Sequence, residues 1–97
     1  MTPAGSEPLA PEGAKKRIRR ILESGEVRFS QHARDEMARD QLTAVDCVSV
    51  LRGGTVRPPE FERGSWRYRV FTSRICVVVA FHSEHQLVVV TAWRIQR

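Results

Sequence analysis

The sequence predicts a single α+β domain in which helices precede, and pack on one face of, a four-stranded antiparallel sheet. A chain of 97 residues is too short to divide its apolar side chains between two cores. Apolar residues recur at helical spacing as far as residue 54, and β-rich runs follow from residue 55. Helices followed by consecutive strands are typical of α+β folds.

The first residues differ in composition from the rest of the chain. Residues 1–13 contain three prolines, two glycines and few apolar side chains, so they bury too little surface to offset the entropy of ordering. We therefore expect a flexible tail over residues 1–13 and one folded domain over residues 14–97. Since the chain has neither a signal-peptide pattern nor an apolar run of about 20 residues, we expect a cytoplasmic protein with no membrane partner.

The first predicted helix runs from Ala14 to Ser24 and ends before Gly25, which suits a helix C-cap. Its segment KKRIRR places five cations in six residues. Such a cluster suits phosphate binding along RNA, and it equally suits docking of an acidic partner. The candidate RNA contacts on this helix are Lys15, Lys16, Arg19 and Arg20.

A second helix is predicted from the N-cap Ser30 to about residue 40, with Ala33 and Met37 as its apolar seam. Three polar residues form a ridge beside this seam at helical spacing: His32, Glu36 and Asp40. His32 can donate a hydrogen bond to Glu36, which would orient the ring for proton transfer or phosphate binding. The same geometry is also an ordinary surface pair, and the residue pattern alone favours that structural interpretation.

A third helix begins at Thr43, because the segment TAVD places Asp46 at the third helical position in a near capping box. Val45, Val48 and Leu51 supply its apolar side, and the GG pair at residues 53 and 54 ends it.

The second half of the chain predicts a short edge strand in TVRP and three long strands in SWRYRVFT, ICVVVAFHS and LVVVTAWRI. The loops SR at residues 73–74 and EHQ at residues 84–86 join the long strands into an antiparallel meander. Cys47 and Cys76 lie within apolar runs without metal-ligand spacing. We expect two buried free thiols and no metal site.

The formal net charge is +5, and fourteen of the sixteen cations are arginine. Arginine recognises phosphate and carboxylate with several donors at once, so the composition favours an anionic partner. A surface that is basic only for solubility is the alternative. The chain lacks GxxxxGK[ST], GxGxxG, HExxH and GxSxG, the motifs of nucleotide hydrolases, dinucleotide enzymes, zinc peptidases and serine hydrolases.

In the segment WRYRV, the two-residue period of a strand separates the side chains into two sets. One face carries Trp66, Tyr68 and Val70, and the other carries Arg67, Arg69 and Phe71. Neighbouring guanidinium groups repel unless they are solvated or paired, so the arginines are a candidate site for a scissile phosphate. A solvated face, or bridges to Glu60 and Glu62, is the alternative that the sequence leaves open.

The last strands offer further candidates. Thr91 and Trp93 share one face of the final strand, where Trp93 could stack on a base or fill the edge of the core. Arg94 is a candidate RNA contact beside it. His82 and His85 flank the last hairpin as secondary candidates for acid or base chemistry.

The order of FSQHARDEM, LTAVDCVSVLRGG, WRYRV and VVVTAWR resembles a family of small bacterial proteins of unknown function, from about Val27 to Arg94. That family is similar to the RelE and barnase-like ribonuclease superfamily and to MqsR-type toxins. The resemblance implies a RelE-like fold with a curved sheet. It also implies two partners, RNA and an antitoxin protein of the zinc-binding or helix-turn-helix kind.

The family motif is Ser-x-His-Ala followed by Arg-Met and Arg-Gly-Ile. Ser30, His32, Ala33 and Met37 match it. Glu36 and Asp40 stand where many relatives carry arginine, and Gln41 replaces glycine. This departure moves the expected phosphate contact from the helix to the arginines of WRYR.

The resemblance implies a metal-independent endoribonuclease, an mRNA interferase, that needs no cofactor. His32 would act as acid or base with Glu36 orienting it, and Arg67 and Arg69 would hold the phosphate. Tyr68 or Thr91 would position the phosphate. A noncatalytic RNA- or protein-binding module of the same fold is the alternative.

Overall fold

The computed structural model describes residues 7–95, which form three helices and six strands and so confirm an α+β fold. The helices are α1 (Pro11–Ser24), α2 (Gln31–Arg39) and α3 (Ala44–Gly53). The strands are β1 (Glu26–Phe29), β2 (Thr55–Val56), β3 (Glu60–Glu62), β4 (Ser65–Phe71), β5 (Ile75–Ser83) and β6 (Gln86–Arg94). Within this part of the chain, no helix has both the length and the apolar character required to cross a membrane.

The sheet is open and six-stranded, so the predicted four-stranded antiparallel sheet is wrong in detail. Its strands follow the order β1-β6-β5-β4-β2, and β3 also pairs with β4. The three predicted long strands do form an antiparallel meander. The prediction missed β1, which pairs parallel to β6, and β3. These strands have four and three residues, too few for a periodic pattern to be recognised.

The turn from α1 into β1 depends on a close approach to the last hairpin. Gly25 caps α1, as predicted, and the backbone N–H of Glu26 donates to the carbonyl oxygen of His85 at 2.8 Å. A β-carbon on Gly25 would clash with that same oxygen. The glycine therefore lets β1 enter the sheet directly beside β6.

The two faces of the sheet have different characters. Tyr68, Val79 and Val89 are register partners across the three central strands, and all three are fully buried beneath the helices. The opposite face, which we call the arginine face, carries Arg67, Arg69, Val78 and Thr91. The predicted alternation in WRYRV is therefore confirmed.

The first helix begins at Pro11 rather than at Ala14, with proline in its first turn where no backbone donor is needed. Before it, Leu9 packs against the core, and its backbone N–H donates to Tyr68 Oη at 2.8 Å. The expected tail therefore includes residues that contact the domain. Residues 1–6 of that tail lie outside the described part of the chain.

The predicted capping box of α3 is confirmed. The backbone N–H of Asp46 donates to Thr43 Oγ1 at 3.1 Å, and the backbone N–H of Thr43 donates to Asp46 Oδ2 at 2.9 Å. These bonds lower the pKa of Asp46. The predicted apolar side is partly wrong, since Val45 is 73% exposed; it lies about 160° around the helix from the buried Cys47.

Cys47 and Cys76 are free and buried, as predicted. Burial raises the pKa of the Cys47 thiol to about 11, and burial also raises the pKa of Cys76. Both thiols therefore remain protonated near neutral pH.

Candidate active site

A cavity of about 500 Å³ opens on the arginine face. One wall comes from the start of α2, the floor from β6 and β4, and the other wall from the turn between β3 and β4. The lining residues are Ser30, His32, Glu62, Arg63, Arg67, Val90 and Thr91. The cavity thus brings together His32, Arg67 and Thr91, three of the six residues predicted to be catalytic.

Ser30 positions the wall that carries His32. Its Oγ accepts from the backbone N–H of Ala33 at 3.0 Å, which confirms the predicted N-cap, and it donates to the carbonyl oxygen of Val90 at 3.2 Å. One hydroxyl therefore joins the first turn of α2 to β6. His32, two residues later, is exposed at the mouth of the cavity.

A β-bulge shapes the floor. Val79 pairs with Val89 and Val78 pairs with Thr91, so Val90 is an extra residue on β6. Bulges are common beside active sites because they redirect a neighbouring side chain. Here the bulge places Thr91 at the cavity, beside the carbonyl that Ser30 holds.

We expect Ser30→Ala to lower the free energy of unfolding by about 1–3 kcal/mol, because the helix loses its cap and the Val90 carbonyl loses a donor. Ser30→Asp keeps an acceptor for the Ala33 amide but cannot donate to Val90, so its loss should be smaller. Ser30→Thr retains both groups and is the control. Urea unfolding measures all three, and an alanine variant as stable as the threonine variant would contradict this double role.

The two arginines of WRYR have different surroundings. Arg67 lines the cavity, and its Nε donates to Ser65 Oγ at 3.2 Å. Arg69 forms an ion pair with Glu60 at 2.6 Å and does not line the cavity. The hydrogen bond that Arg69 donates to Glu60 raises the pKa of Arg69. The alternative interpretation of the two arginines was an ion pair with Glu60 or Glu62. Arg69 forms such an ion pair, whereas Arg67 does not.

The predicted hydrogen bond between His32 and Glu36 is not among those formed within residues 7–95. Glu36 is instead ion-paired with Arg39 at 3.1 Å, one helical turn further on. Asp40 also turns away from the ridge, since its carboxylate accepts the backbone N–H of Arg94 at 2.8 Å. The structure therefore separates the acids of α2 from the cavity.

Tyr68 lies on the helix-covered face, opposite to Arg67. Its side chain is fully buried, its hydroxyl accepts the Leu9 amide, and burial raises its pKa. The prediction that Tyr68 positions a phosphate held by Arg67 is therefore incompatible with the fold, because the sheet lies between the two groups.

The predicted RNA contacts of α1 lie on the helical side of the sheet, away from the cavity. Lys16, Arg19 and Arg20 are exposed, whereas Lys15 Nζ donates to the carbonyl oxygen of Gly54. Burial lowers the pKa of Lys15. An RNA strand in the cavity would therefore not lie along this helix.

Other residues near the end of the chain have structural contacts. Arg94 Nε and Nη2 donate to the carbonyl oxygens of Asp40 and Gln41 at 2.8 and 3.2 Å, which satisfies backbone groups at the end of α2. Trp93 is half-buried on the arginine face, beside Cys76. His82 and His85 are exposed and do not line the cavity.

Two charged lining residues, Glu62 and Arg63, were not identified from the sequence as site residues. Both lie where β3 turns into β4, and β3 was not predicted. The alternation in EFE followed by the turn residue Gly64 was the available signal. Glu62 is thus the carboxylate that the fold places in the cavity with His32, where the sequence suggested Glu36.

A family profile described as a domain of unknown function, DUF4258, matches residues 29–94. The match covers the start of α2, the β3–β4 turn and the whole meander, and so includes every residue that lines the cavity. No curated protein and no solved structure matches the chain.

Proposed function

The chain belongs to the DUF4258 family, and we propose that it is a metal-independent endoribonuclease, the mRNA-cleaving toxin of a bacterial toxin–antitoxin pair. The observation that carries this proposal is that His32 and Arg67, from α2 and β4, line one cavity. The resemblance to RelE- and MqsR-type toxins supports the same function. A noncatalytic module would not require an imidazole and a guanidinium to face one space.

The cavity offers the groups that cleavage by the ribose 2′-hydroxyl requires. The Glu62 carboxylate accepts the 2′-hydroxyl proton, and the 2′-oxygen bonds to phosphorus while the bond to the 5′-oxygen breaks. Protonated His32 then gives its proton to the leaving 5′-oxygen. The products are a 2′,3′-cyclic phosphate and a free 5′-hydroxyl.

Arg67 supplies the positive charge that the reaction needs. Negative charge on the nonbridging phosphate oxygens grows in the transition state, and a guanidinium held in advance stabilises it. The Ser65 hydroxyl fixes the Nε edge of Arg67, which leaves its terminal nitrogens for the phosphate. Thr91, aimed by the bulge, is a further donor at the same floor.

Incubation of the purified protein with an end-labelled single-stranded RNA in excess chelator tests the proposal. We expect cleavage to fragments with 2′,3′-cyclic phosphate ends, and we expect induction of the chain in bacteria to arrest growth. Cleavage that stops with chelator would contradict metal independence. RNA binding without cleavage would instead identify a noncatalytic RNA-binding module, and cleavage without growth arrest would contradict the toxin role.

A further inference from the structure

Arg63 occupies an unusual backbone position at the wall of the cavity. It is the first residue of the two-residue turn between Glu62 and Ser65, and its φ of 50° lies in the left-handed region. Gly64 follows with a φ of 83°. Positive φ at both positions matches a type I′ hairpin turn, in which asparagine, aspartate or glycine is favoured first. An arginine there is less favourable for folding than these residues.

The surroundings of Arg63 suggest a ligand rather than a structural partner. Its side chain is exposed at the cavity, and no ion pair within residues 7–95 involves it. Within residues 7–95, ion pairs involve only Arg28, Arg39 and Arg69 among the arginines, so the features that distinguish Arg63 are its backbone conformation and its place at the cavity. Residues in disfavoured backbone conformations often lie at functional sites. The guanidinium group distinguishes Arg63 from the residues that this turn favours, so the guanidinium is the group to which we assign a function.

We propose that Arg63 binds a backbone phosphate of single-stranded RNA and, together with Arg67, holds the strand across the cavity. The proposal rests on the proposed function, because it assigns a substrate contact to the same site. The start of α2, which carries His32, is bonded to β6 through Ser30, whereas Arg63 lies at the β3–β4 turn on the other side of the cavity. An RNA strand that crosses the cavity from Arg63 to the α2 wall therefore passes Arg67 and reaches the imidazole. A cavity of about 500 Å³ suits a nucleotide splayed out of a single strand.

The variant Arg63→Asn separates the effect of residue 63 on RNA binding from its effect on stability. We expect it to weaken binding of a fluorescent 2′-fluoro oligoribonucleotide, which cannot be cleaved, by about tenfold at low salt. The slope of the logarithm of affinity against the logarithm of salt should fall by about 0.7, since one phosphate contact to a single strand is lost. The thermal midpoint should stay unchanged or rise, because asparagine suits the turn better. A merely structural arginine would not lower affinity while raising stability.

Arg74→Asn is the matched control. It removes the same charge from an exposed loop at the other end of β4, outside the cavity. Equal affinity for the wild type and Arg63→Asn would overturn the proposal, as would equal weakening by both variants, which would show only general attraction to a basic protein. If Arg63→Asn weakens binding but the wild type never cleaves RNA, the contact stands and the ribonuclease function fails. If the wild type cleaves RNA and Arg63→Asn binds RNA as tightly as the wild type, the ribonuclease function stands and the Arg63 contact fails.

Discussion

Replacing His32 with alanine should lower the rate of RNA cleavage by about 10²- to 10⁴-fold, the contribution that a general acid or base makes to catalysis. Among the residues that line the cavity, His32 is the one histidine, and it lies there with Arg67 and Glu62. Because the side chain is exposed and the Ser30 cap of α2 remains, the free energy of unfolding should change by less than about 0.5 kcal/mol. Single-turnover cleavage and urea unfolding measure the two quantities.

The same chain offers matched controls for this variant. His82 and His85 are exposed histidines of the β5–β6 hairpin and lie outside the cavity, so alanine there should leave the cleavage rate unchanged. In bacteria, His32→Ala should be the one of these three alanine variants that relieves growth arrest. If all three alanine variants cleave RNA at one rate, His32 takes no part in proton transfer.

Tyr68→Ala should lower the free energy of unfolding by about 3–5 kcal/mol, the range for removing a large aromatic side chain from a core. Tyr68 is fully buried, and its ring packs against Phe81 with centroids 5.1 Å apart. Its hydroxyl is also the acceptor for the backbone N–H of Leu9. The variant should therefore leave a large cavity and an amide without its acceptor. Urea or thermal unfolding measures the loss.

Tyr68→Phe distinguishes this structural role from the catalytic role that the sequence suggested. It retains the ring and removes only the acceptor for Leu9, so we expect a loss of about 1–2 kcal/mol. At a temperature where the variant stays folded, RNA cleavage should proceed at the wild-type rate. A large loss of RNA cleavage by the folded phenylalanine variant would show that the Tyr68 hydroxyl takes part in catalysis.

Local signals in the sequence predicted much of the secondary structure. Ser30 and Thr43 cap the helices that they were expected to cap, because a hydroxyl followed by free backbone N–H groups acts within a few residues. The meander followed from long β-rich runs with short loops, and the two faces of WRYRV from the period of a strand. None of these features depends on distant parts of the chain.

Features that depend on distant residues were predicted less well. β1 is a strand because it pairs with β6, sixty positions later, and β3 is a strand because it pairs with β4. Arg17 is one of the five cations of the segment KKRIRR, yet it is buried with its guanidinium 5.2 Å from the Phe81 ring centroid. Such a cation–π contact is visible only once β5 lies beside the helix.

The candidate site divides in the same way. The sequence by itself indicated His32 and the arginines of WRYR as candidate site residues, and it placed these arginines on the face opposite to Tyr68. Only the tertiary structure decided that Arg67 and His32 line one cavity while Arg69 is paired with Glu60, and that Glu62 and Arg63 complete the lining. The physical reason is that caps and strand period act between near neighbours, whereas a cavity forms between side chains that pairing across the sheet brings together.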